Sequence, residues 1–79
     1  MTQIRVKLTF PEVLVRRPVL ARLVREFEVE PNIRRADVEE DRGWILCEID
    51  GDPRALEAAL AWLSSEGVGV DLLGDVLEG

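Results

Sequence analysis

The sequence predicts an α+β fold, with four antiparallel strands in one sheet and two helices on a single face of it. Three observations lead there. Apolar residues alternate with polar ones at period two in the strand segments. Two further segments repeat apolar residues at helical spacing, and each has a proline where a helix would begin. The elements then fall in the order β-α-β-β-α-β.

The first strand is written by Ile4, Val6, Leu8 and Phe10 alternating with Gln3, Arg5, Lys7 and Thr9, and Pro11 ends it. A connection over residues 12–17 leads to Pro18. Leu20, Leu23, Val24 and Phe27 then recur at helical spacing, which predicts a helix over about 17–28. Pro31 blocks its continuation, and a second strand follows over about 32–40. Strict alternation puts Arg34, Ala36 and Val38 toward the helices, and Ile33, Arg35 and Asp37 on the other face. Asp41-Arg42-Gly43 reads as a turn into a third strand, Trp44 to Asp50. There Ile45, Cys47 and Ile49 face one way, and Trp44, Leu46 and Glu48 the other. Asp52 and Pro53 are N-cap and first residue of a second helix over about 53–66, whose stripe is Leu56, Ala59, Leu60 and Leu63, and Gly67 closes it. Val68, Val70 and Leu72 alternate in a last strand, and residues 74–79 read as a frayed acidic tail.

With right-handed crossovers this order gives a ferredoxin-like βαββαβ domain of strand order 4-1-3-2, leaving one sheet face without helices. The 79 residues make one domain, 1–79, with a thin core, and domains of this size often gain stability by pairing.

Composition excludes much chemistry. There is no histidine, which removes the commonest acid-base group and the commonest zinc ligand. A single cysteine, Cys47, rules out an internal disulfide and a cysteine-rich metal site, and it is expected as an inert buried thiol. No Gly-rich phosphate loop and no nucleophile beside a base is visible. The chain is therefore expected to have no catalytic residues, no cofactor and no metal. A net charge of −6 argues against nucleic acid. No apolar run approaches a membrane span and the first residues do not resemble a signal peptide, so the expected location is the cytoplasm.

Five positions merit attention. Trp44 and Leu46 share the helix-free face and alternation adds Ile33, so these three are expected to form an apolar interface patch. On that reading, changing Trp44 and Leu46 to Ser yields a monomer in light scattering. Asn32 suits a turn at a strand entry, and its amide is also able to hold the amino and carboxylate groups of an amino acid. Arg34, in phase with the helix side, is expected near the sheet edge or paired with a carboxylate, where its guanidinium also suits a ligand carboxylate. Glu39-Glu40-Asp41 is a solvated acidic turn.

The segments Leu8-Thr9-Phe10-Pro11, Arg17-Pro18-Val19-Leu20 and Asn32-Ile33-Arg34-Arg35-Ala36-Asp37-Val38-Glu39 resemble the NIL domain, named for an Asn-Ile-Leu signature. The likeness continues through Glu48-Ile49-Asp50-Gly51-Asp52 and the Ala-rich second helix. It implies a ferredoxin-like, ACT-like regulatory domain of the kind carried at the C-terminus of methionine importer ATPase subunits, where it forms dimers and binds methionine. Other members are attached to iron–sulfur domains or stand alone. This chain has neither an ATPase module nor cluster cysteines, so it is expected as a stand-alone protein or one piece of a longer one. Asn32 and Ile33 match the signature and are the implied ligand residues, whereas Arg34 replaces Leu and bears on ligand choice. The resemblance thus implies a homodimer that binds a small amino acid, methionine first, in methionine transport or sulfur metabolism. The alternative is an interaction module without a small ligand, docking through Ile33, Trp44 and Leu46 on a transporter ATPase or an iron–sulfur or sulfur-metabolism partner.

Overall fold

In the first strand, Ile4, Val6, Leu8 and Phe10 are buried and Arg5 and Thr9 exposed, so period-two alternation becomes one covered and one open sheet face. The computed structural model describes residues 2–11, 18–39 and 42–76. Its elements are β1 (Thr2–Pro11), α1 (Val19–Glu26), β2 (Val29–Val38), β3 (Arg42–Gly51), α2 (Pro53–Ser65) and β4 (Gly69–Val76). The sheet runs β2-β3-β1-β4, the expected 4-1-3-2 read from the other edge, and every pairing is antiparallel. The fold is the ferredoxin-like α+β arrangement.

Boundaries differ where local chemistry is permissive. α1 spans Val19–Glu26 and Phe27 is already extended, with φ −128° and ψ 136°. β2 therefore begins at Val29 and carries Pro31 within it, opposite Ile49. An edge strand tolerates proline because part of its N–H row has no ladder partner. Arg42 and Gly43 belong to β3 rather than to a turn. Gly74 and the two residues after it belong to β4 rather than to a tail. The expected start of the first helix at Arg17, the acidic pair Glu40-Asp41 and residues 77–79 lie outside the described residues.

α2 begins as read, with Pro53 at the first turn and Asp52 in the cap position, although the Asp52 side chain makes no capping bond. At its other end Gly67 takes φ 95°, and the Val68 N–H donates to the Leu63 carbonyl at 3.0 Å. A side chain at Gly67 would be strained in that left-handed conformation, so glycine closes the helix and turns the chain into β4.

The core lies between the helices and the covered face. Val6, Leu8, Leu23, Cys47, Ile49, Ala59 and Leu63 have no exposed surface. The rings of Phe27 and Trp62 lie 5.6 Å apart, and the Arg22 guanidinium sits 5.0 Å over Trp62, which joins α1 to α2 at the outer rim. Gly51 is required by close approach, since a Cβ there would lie 2.9 Å from Val29 Cγ1. Among the described residues, no helix is long and apolar enough to cross a membrane.

Candidate functional site on the open sheet face

Register sets which side chains meet on the helix-free face. Gln3, Asp50 and Glu30 form one cross-strand row, Arg5, Glu48 and Asn32 the next, Lys7, Leu46 and Arg35 the third, and Thr9, Trp44 and Asp37 the fourth. Rows on one face repeat every second residue, roughly 7 Å apart along a strand. β4 contributes Asp71 beside Lys7 and Gly74 beside Arg5.

The second row is the most structured. Glu48 is buried, with 7% of its surface exposed. Its Oε1 accepts from Arg34 Nε at 2.8 Å and Nη2 at 2.6 Å, and its Oε2 accepts from Arg5 Nη2 at 3.1 Å. A carboxylate shielded from water needs such partners. Bonds from Arg34 first, then from Arg5, hold its pKa below the ordinary 4.5. The two arginine side chains remain about half exposed, at 57% for Arg34 and 52% for Arg5. In the row beside it, Gln3 Nε2 donates to Asp50 Oδ1 at 2.7 Å. Lys7 Nζ lies 5.2 Å over the Trp44 ring.

This geometry corrects the face expected for Arg34. β2 has a bulge, because Ile33 is opposite Cys47 and Arg35 is opposite Leu46, so Arg34 is an extra residue against β3. The alternation is reset there. Arg34 reaches Glu48 on the open face instead of pointing toward the helices, and the carboxylate partner expected for it is Glu48. Ala36 and Val38, opposite Ile45 and Gly43, keep the helix side.

The same bulge separates the expected apolar patch. Trp44 and Leu46 are on the open face, where both are half-buried. Ile33 lies opposite the buried Cys47, on the helix side of the edge strand, and is 52% exposed. It therefore does not join Trp44 and Leu46. Asn32 is not at the strand entry but inside β2, opposite Glu48 and exposed. Of the three ligand candidates, the structure brings Asn32 and Arg34 together and leaves Ile33 on the other side.

Glu48 and Arg5 are what sequence reading overlooked. An acid at the centre of a strand whose neighbours are Cys47 and Ile49 was the available signal, because such a residue needs cationic partners. A shallow cleft of about 260 Å³ lies at the end of the face, lined by Thr9, Asp37, Glu39, Arg42, Gly43 and Trp44. None of the three ligand candidates reaches it. The Cys47 thiol is pushed up to about 11 by burial, which makes it a poor nucleophile. Among the described residues no group of three or more His, Cys, Asp or Glu is placed to hold a metal ion.

The fold and this face define a small ferredoxin-like domain whose uncovered sheet surface is organised around a shielded carboxylate and two arginines. A family model, the NIL domain, matches residues 4–71, and the chain belongs to that family. No protein of curated function matches in sequence. Among solved structures, the C-terminal domain of an ABC transporter ATP-binding protein from Enterococcus faecalis is similar with a TM-score of 0.79 and 21% identity, over 90% of this chain and 83% of that one. A formyltetrahydrofolate deformylase from Pseudomonas putida KT2440 gives 0.62 and 19%, over 91% of this chain but only 28% of its own. The de novo designed protein Foldit4 gives 0.61 and 11%, over 99% and 98%. At these identities the likeness is one of fold, and a designed protein sharing it illustrates that fold alone carries no function.

Proposed function

We propose that the chain is a non-catalytic regulatory domain that binds a small amino acid, methionine first, pairs with a second copy, and reports the ligand to a transporter ATPase in the cytoplasm. The observation that carries this reading is the NIL match over residues 4–71. The fold shared with the C-terminal domain of an ABC transporter ATP-binding protein supports it. The absence of histidine and the raised pKa of the buried Cys47 favour binding over catalysis. The mechanism is linkage: a ligand that favours one arrangement of the pair changes what a partner senses.

Pairing is supported by the β2 edge. β2 is an outer strand of ten residues, and Ile33 and Val38 on it are 52% and 62% exposed. Open edges with apolar side chains are templates for another chain. Ile33→Lys is expected to halve the mass in light scattering; a wild-type monomer at all concentrations would remove the dimer from this reading.

Thermal unfolding with and without L-methionine tests the ligand. At about 100 times the dissociation constant a ligand adds about 2.7 kcal/mol, a rise of roughly 10 °C or more in so small a domain. A methionine-specific rise is expected. If no amino acid raises the midpoint at millimolar concentration, the sensor reading fails and the exposed edge residues point instead to docking on a protein.

A further inference from the structure

The middle of the open face carries an apolar track with cations along both sides. Trp44 and Leu46 follow each other on β3, both half-buried, and Glu48 ends the track. On one side β1 supplies Lys7 opposite Leu46 and Arg5 opposite Glu48. On the other side β2 supplies Arg35 opposite Leu46, and Arg34, whose guanidinium reaches Glu48. Four of the ten basic residues thus border one track, in a molecule whose net charge is −6. The acids nearby are Glu48, already held by the two arginines, Asp71 on β4 opposite Lys7, and Asp37 opposite Trp44.

The dimensions suit a helix. Adjacent strands lie roughly 4.8 Å apart, so the cationic rims on β1 and β2 are separated by roughly 10 Å. A helix with its side chains is about 10–12 Å across. Trp44 and Leu46 are two strand residues apart, roughly 7 Å, and apolar residues at i and i+4 of a helix rise by about 6 Å. An added strand needs unpaired backbone groups, whereas β3 is paired on both sides and offers side chains alone. Sheets ordinarily bury an apolar surface against a layer of helices, and both helices of this chain lie on the other side. Glu48 also holds Arg5 and Arg34 in place while their side chains stay about half exposed. Less rotamer freedom is then lost when a partner's carboxylate reaches them.

We propose that the open face is a docking surface for an amphipathic helix of a partner protein, one whose apolar stripe is bordered by Asp or Glu on both sides. The stripe lies along Trp44 and Leu46. Its acidic flanks face Arg5 and Lys7 on one side, and Arg34 and Arg35 on the other. The rims decide the sign of the partner. A basic helix sets like charges against four cations, and a neutral one covers those cations without pairing them. Docking of this kind is independent of the amino-acid reading above and needs no bound small molecule.

The test is an NMR titration of the whole isotope-labelled chain with three synthetic peptides, each of about 18 residues so that a helix is within reach. The first has a leucine stripe at helical spacing with glutamate on both flanks. The second has lysine in place of every glutamate, and the third has the first composition in scrambled order. The first is expected to shift the Trp44 indole and the amides of Lys7, Arg35 and Leu46, to bind about tenfold or more tightly than the other two, and to weaken as salt rises. Lys7→Glu with Arg35→Glu, folding checked by circular dichroism, is expected to transfer the preference to the lysine peptide. Lys7→Gln with Arg35→Gln, which adds no new charge, is expected to weaken the glutamate peptide about threefold or more. No shift at roughly millimolar glutamate peptide, equal binding of the glutamate and lysine peptides, or shifts confined to α1 and α2 would overturn the proposal. So would a DNA duplex that shifts the same residues at lower concentration, which would make the surface one for phosphates. A wild-type dimer that the charge reversal converts to a monomer in light scattering would give the face to a second copy instead. The thermal shift with L-methionine is read separately, so each of these failures leaves the amino-acid reading in place.

Discussion

On the covered side of the sheet, Val6, Leu8, Cys47 and Ile49 are sealed from water; on the other, the same two central strands present Arg5, Lys7, Leu46 and Glu48. The difference is one of tolerance. The covered face is specified by volume and apolarity, and any departure creates a cavity or a clash. The open face is specified by pairing at its centre, where Glu48 is set against Arg5 and Arg34 and Lys7 against Asp71 across strand boundaries. Stability is therefore concentrated on one side, and the other is free to carry recognition.

The comparison breaks most plainly by exchanging equal-sized losses between faces. Leu8→Ala, in the sealed layer, is expected to cost about 2–5 kcal/mol, a large part of the stability of so small a domain. Leu46→Ala, on the half-buried side, is expected to cost less than half as much. Urea unfolding of both variants measures the ratio, and equal losses would mean that the open face is covered in solution. Next in size is Gly51→Ala. The added Cβ would meet Val29 Cγ1 at 2.9 Å and Leu56 at 3.4 Å, and overpacking of this kind costs about 1–3 kcal/mol. The measurement is again a shift in urea midpoint at unchanged slope.

The open face should respond to pH where the covered face does not. Folding holds the Glu48 pKa below its ordinary 4.5 through Arg34 and Arg5. Stability from this group is therefore fully present above about that value and is lost as pH falls through the lower folded pKa. Glu48→Gln is expected to be less stable than wild type at pH 7, with the gap closing in strong acid. A gap that persists unchanged at low pH would show that the loss is steric rather than electrostatic.

How far the sequence revealed these two faces depends on the range of the signal. The covered face was legible in β1 and β3, because Ile4 to Phe10 and Ile45 to Ile49 alternate without interruption. Pro53 and Gly67 likewise marked the ends of α2 through their own backbone constraints. The open face was not legible as a unit. A bulge has no residue signature in Arg34-Arg35, and a slip of one position exchanges faces. That is why alternation sent Arg34 toward the helices and Ile33 toward Trp44. The Arg5–Glu48 bond joins residues 43 positions apart. It follows from the β1–β3 register, which composition and spacing do not contain.

Lys7→Met should have the smallest effect and gives the most direct reading of how the open face holds itself together. Methionine keeps the apolar stem and removes the ammonium that lies 5.2 Å over the Trp44 ring. The cation–π contact at a partly exposed site is worth about 0.5–1 kcal/mol. Asp71, opposite Lys7 on β4, loses its cross-strand cation at the same time. Exposed pairs of this kind are screened by salt, with a Debye length of about 10 Å at 0.1 M. The difference between Lys7→Met and wild type is therefore expected to shrink from low to high ionic strength, whereas the Leu8→Ala difference stays constant. Parallel urea titrations across that range separate the two, and a salt-independent Lys7 effect would assign its contribution to packing of the stem instead.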